Sequence, residues 1–83
     1  MKTGDKVRVI ELEKIDKEET TLEIGNAGVI IELSIHGADN PDRDVFKVRF
    51  DDESKTPLSS SNAYLHGGYA LYRYQLEVIE AAP

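Results

Sequence analysis

Eighty-three residues make one domain, 1–83, too short to join a catalytic domain to a regulatory one. The chain has no cysteine, which excludes disulfides, zinc–thiolate centres and thiol nucleophiles and fits a reducing compartment. Sixteen acids against ten Lys and Arg give a formal charge of −6, a surface that repels nucleic acid and favours partners with basic patches.

Met1-Lys2-Thr3 leads straight into polar sequence rather than a signal peptide. No apolar run approaches the roughly 20 residues of a membrane span, so a cytoplasmic location without membrane contact is expected. The stretch 4–12, GDKVRVIEL, alternates: Val7 and Val9 point one way, Lys6 and Arg8 the other, as in a half-buried strand. Residues 11–23, ELEKIDKEETTLE, dissolve into six acids and two lysines. A helix there would have only Leu12 and Ile15 as its apolar stripe, too narrow to dock, and the segment reads as a long exposed loop.

In 22–36, LEIGNAGVIIELSIH, Gly25 and Gly28 bracket Asn26-Ala27, a spacing that permits a tight turn or bulge with positive φ. Val29, Ile31, Leu33 and Ile35 then share one face, predicted dry, and Ile30, Glu32, Ser34 and His36 the other. Residues 37–44, GADNPDRD, form a loop by every local rule. VFKVRF, 45–50, alternates with Phe46, Val48 and Phe50 inward. Residues 51–62 are a long polar connection. The chain returns to order with YALY as a short strand, RYQL as a single turn and EVIE as a last strand.

Five short strands with long loops and no convincing helix predict an all-β domain, a small closed or nearly closed barrel whose closure removes unpaired edges. The interior is expected to hold Val7, Val9, Ile31, Leu33, Phe46 and Val48. The stretches GDKVRV, GNAGVI, VFKVRFDD and YRYQLEVIE resemble the SH3-like barrels. Within these they resemble the electron-transport accessory proteins, namely the PsaE family of photosystem I and the variable chain of ferredoxin–thioredoxin reductase. The similarity covers Gly4 to Ile10, Gly28 to Ile31, Val45 to Phe50 and Gln75 to Ile79. It implies a five-stranded barrel with long loops and a 3₁₀ turn before the last strand. A second resemblance, to the KOW motif, rests on the Gly25–Val29 spacing; it implies a basic stripe of Lys6, Arg8, Lys47 and Arg49 for phosphate contacts.

Catalytic chemistry needs convergent groups, and none converge by spacing. His36 and His66 lack the short repeats of metal ligands. Asp39, Asp42 and Asp44 lack the ligand series of a calcium loop. Ser59–Ser61 have no elbow sequence or base. No catalytic residue, metal or cofactor is expected.

All four tyrosines, Tyr64, Tyr69, Tyr72 and Tyr74, fall within eleven residues. Tyr72 is expected to plug the end of the barrel, keeping its hydroxyl in water. Tyr64, Leu65 and His66, with Tyr69, are the candidates for an exposed contact patch, since aromatics on a polar loop are typical recognition anchors. Glu18 and Glu19 stand for the acidic loop that would steer a basic partner. The expected function is a non-catalytic protein-binding module or accessory subunit of bacterial or phage origin. An acidic inhibitor mimicking nucleic acid, an electron-transport accessory subunit and a KOW-like nucleic-acid binder are the alternatives.

Overall fold

Alternation in the sequence becomes paired strands wherever both faces have a use. A computed structural model describes residues 1–52 and 68–83 of the chain. In it β1 (Lys6–Val9), β2 (Ala27–Ile35), β3 (Val45–Phe50), β4 (Tyr69–Tyr72) and β5 (Leu76–Glu80) form one antiparallel sheet. Its order is β4-β3-β2-β1-β5, so β1 pairs with both the second strand and the last. A six-residue helix, α1 (Lys14–Glu19), lies between β1 and β2. Single 3₁₀ turns cover Pro41–Arg43 before β3 and Arg73–Gln75 before β5, the latter at the expected place. Among the described residues no helix is long and apolar enough to cross a membrane.

The inward faces of β1 and β3 are as the alternation dictates. Val7, Val9, Phe46, Val48 and Phe50 are buried, joined by Leu71 of β4, Leu76 of β5 and Leu22 before β2. The middle strand departs from expectation. Ile30, not Ile31, is the fully buried residue of β2, and Leu33 is 47% exposed. Cross-strand register is the reason: Gly28 faces Phe50 and Ile30 faces Val48, which puts even-numbered residues inward in the first half of β2.

Two register shifts then leave Ile31 and Ser34 without a partner across the ladder. Such bulges bend a strand and exchange its faces. Leu33 thereby comes opposite Phe46, but β1 accompanies β2 only to Val29, with two further backbone bonds at Ile30. Beyond that point β2 has no strand on its β1 side, while β3 is still paired with β4, and Leu33 and Ile35 stay in water.

Glycine matters most at two places. Gly25 turns the chain into β2 with φ +96°, a conformation that side chains with a Cβ rarely adopt. At Gly28 a Cβ would lie 2.4 Å from the carbonyl oxygen of Arg49, so the close approach of β2 and β3 requires its absence.

The segment 11–23 is not the loop that its charge suggested. Glu13 is the N-cap of α1, and its N–H donates to Asp16 Oδ2 at 2.9 Å. Thr20 closes the helix: its N–H and hydroxyl both donate to the Asp16 carbonyl, at 3.1 and 2.6 Å. The same hydroxyl accepts from the Leu22 N–H at 3.1 Å, which leads the chain into the core at Leu22. The helix is short enough to be unstable alone. What holds it is a polar contact that an apolar-stripe argument does not look for.

Candidate functional site

Asp16 is the one buried residue of α1, 5% exposed. Its Oδ1 accepts the Tyr69 hydroxyl at 2.7 Å, and its Oδ2 accepts Gln75 Nε2 at 2.7 Å as well as the Glu13 N–H. Gln75 belongs to the 3₁₀ turn. Its Nε2 also reaches the Glu11 carbonyl at 3.3 Å, and its Oε1 accepts the Tyr72 N–H at 2.9 Å. One side chain on α1 therefore grips β4 and the turn leading to β5. A carboxylate that accepts three hydrogen bonds is well compensated for leaving water.

Tyr69 was expected in an exposed patch. It is instead 4% exposed and part of the core. It sits opposite Val48, and alternation in β4 sends Tyr69 and Leu71 to the same inward face. Burial pushes its phenol far above the ordinary range, and the Asp16 and Glu19 carboxylates push it further, so the hydroxyl remains a donor. Tyr64, Leu65 and His66 lie outside the described residues, as do Ser59–Ser61 and most of the 51–62 connection.

Beside this network an open groove of about 280 Å³ runs between α1 and the sheet. Ile15 walls it on the helix side; Ile35, Val45 and Tyr72 wall it on the sheet side. Glu13, Asp16 and Gln75 supply its polar lining. Ile15 and Ile35 are 58% and 60% exposed. Tyr72, expected as a plug, is half-buried here and stacks on Tyr74 with ring centroids 5.3 Å apart and planes 10° from parallel. The stack stiffens one rim of the groove at small cost in side-chain freedom.

Glu18 and Glu19 both lie on α1, but neither lines this groove. Glu18 is exposed and meets Lys14 one helical turn away at 3.7 Å, a surface pair of little energetic weight. Glu19 is half-buried, close enough for its charge to act on the Tyr69 phenol. Nothing in the sequence sets Asp16 apart from the other acids of 11–23 or brings Gln75, Ile15 and Ile35 together. The one local signal is the spacing of Glu13 and Asp16, an acid three residues after a helix N-cap.

The outer faces of β1 and β3 do not form a free cationic stripe. Lys6 pairs with Asp51 at 3.1 Å, Arg8 with Glu77 at 2.9 Å and Lys47 with Glu32 at 2.8 Å. His36 is exposed, its Nδ1 3.1 Å from Asp44 Oδ1, which also accepts the Gly37 N–H at 2.6 Å. Among the described residues no three His, Asp or Glu side chains converge to hold a metal ion.

Comparison with known proteins returned no matching family model, no matching curated protein and no matching solved structure.

Proposed function

We propose that the chain is a non-catalytic protein-binding module or accessory subunit. Its frame is of the SH3-like type, a reading supported by the pairing of β1 to both β2 and β5 and by the 3₁₀ turn just before β5, although among the described residues β4 and β5 do not pair and the sheet is not closed. The occupant of its groove is a segment of another protein that carries an aliphatic side chain beside a lysine or arginine.

The observation that carries this reading is the groove itself. Ile15 and Ile35, both more than half exposed, face a cleft whose lining also holds Glu13 and Asp16. Solvent-facing isoleucines in a concave, acid-rimmed site offer an apolar anchor point and select a cationic neighbour for it. The net charge of −6 acts in the same direction at longer range, steering basic partners and repelling nucleic acid.

The test is affinity capture from native lysate with the wild-type chain and an I15S/I35S variant side by side. Both isoleucines are exposed, so the variant is expected to fold. A basic protein retained by the wild type and lost from the variant supports the reading. An identical set on both removes the groove as the docking site. Retention of nothing, or retention of the wild type on heparin at low salt, removes the protein-binding module in favour of another role.

A further inference from the structure

The groove has two walls of unequal security. Ile35 pairs with Val45 and Val45 with Tyr72, so ladder hydrogen bonds across β2, β3 and β4 hold that wall. Ile15 stands on a helix of six residues whose buried residue is Asp16. Helices of that length do not persist in water without tertiary support. Leu12 and Leu22 pack into the core on either side of α1, so the segment is tethered at both ends whatever happens between them.

We infer that Asp16 is the positioning residue of the groove: by clasping Tyr69 and Gln75 its carboxylate fixes α1, and with it Ile15, at the distance from the sheet that a partner side chain requires. This deepens the docking reading above and rests on it only for what the groove binds. The geometry is specific. All three donors to Asp16 are neutral: a phenol, a carboxamide and a peptide N–H. The three donors need an acceptor at both side-chain oxygens, which an asparagine cannot supply. In D16N the new amide nitrogen would either confront the Gln75 amide and the Glu13 N–H, donor against donor, or face Tyr69 and turn its hydroxyl into an acceptor, which strands the hydroxyl hydrogen. The same clasp joins residues 53 and 59 positions apart in the chain, so it sets tertiary placement rather than local helix preference.

Amide hydrogen exchange of the free protein tests the inference. The reporters are Lys17, whose N–H donates to the Glu13 carbonyl, and Thr20, whose N–H donates to the Asp16 carbonyl. The control is Ile30, whose N–H donates to the Asp5 carbonyl in the core sheet. D16N is expected to speed exchange at Lys17 and Thr20 at least about tenfold, the scale of losing hydrogen bonds to a charged group, and to leave Ile30 unchanged. Equal loss of protection at all three amides would make Asp16 an ordinary stability residue and overturn the inference.

A second arm separates this from the docking reading. Titration with a synthetic hexapeptide of alternating leucine and lysine, followed by the NMR shifts of Ile15 and Ile35, is expected to show binding that D16N weakens about tenfold while circular dichroism stays the same. If the wild type ignores the peptide, the docking reading fails, and the exchange data still decide the role of Asp16. If D16N binds as tightly as the wild type, the positioning role fails.

Discussion

The five-stranded core and α1 are held by opposite means. In the sheet, Val7, Val9, Ile30, Phe46 and Val48 are secured by apolar burial, non-directional and spread over many contacts. In α1, burial falls to one carboxylate with three directed hydrogen bonds, while the helix's own apolar residue, Ile15, faces water. Apolar packing tolerates exchange of shape within limits. A buried carboxylate does not tolerate the loss of a donor, because what remains is an unsatisfied charge. The contrast explains how a chain with so few apolar residues in 11–23 still orders that segment.

The largest effect is expected in the core. Ile30→Ala should lower unfolding free energy by about 3 kcal/mol, whereas Leu33→Ala three positions along the same strand should cost under about 1 kcal/mol. Urea midpoints of the two variants measure this directly. A larger cost for Leu33→Ala than for Ile30→Ala would mean that β2 presents its other face, as the sequence alone suggested.

Next is Tyr69→Phe, which keeps the ring in the core and removes the hydroxyl that Asp16 accepts. About 2 kcal/mol is the expected loss, the range for a buried hydrogen bond to a charged group. A loss near zero would mean that the clasp contributes geometry without stability. Removing both partners together with Asp16→Leu should then cost less than the sum of the single variants, a coupling that a double-mutant cycle reads out.

The smallest effect concerns acid. Asp5 joins the two ends of the chain, its Oδ2 accepting the Lys2 N–H and its Oδ1 the Ala82 N–H, each at 2.8 Å. The Ala82 N–H, then the Lys2 N–H, hold its carboxyl below the ordinary value of 3.8. A lowered folded-state pKa means that the contribution is complete above the unfolded value and disappears as pH falls through the folded one. Stability of the wild type should therefore drop below about pH 4 more steeply than that of Asp5→Asn, as urea titrations between pH 2 and 5 would show. Parallel curves would assign the acid sensitivity to other carboxylates.

The residues differ in how plainly they announce these roles. Val7, Val9, Phe46 and Val48 were legible because a period of two with charged residues between admits one inward face. Gly25 was legible because its turn needs positive φ, which few other residues adopt. Ile30 was not: four apolar residues occupy the odd positions from Val29 to Ile35, and a count of hydrophobicity favours them. Tyr69 looked like a recognition residue in sequence because tyrosine serves both surfaces and cores. Its partner at a separation of 53 residues, Asp16, sat inside a run of acids that resembled a solvated loop.

Sequence by itself determined that this chain makes antiparallel strands with a 3₁₀ turn before the last, since alternation and turn chemistry are local properties read over a few residues. Tertiary structure alone decided which face of β2 is dry, that residues 14–19 coil into a helix, and that an apolar groove opens beside it. Those three features depend on cross-strand register and on a carboxylate meeting donors far away in the chain. Both are relations between segments, and no segment carries them in its own composition.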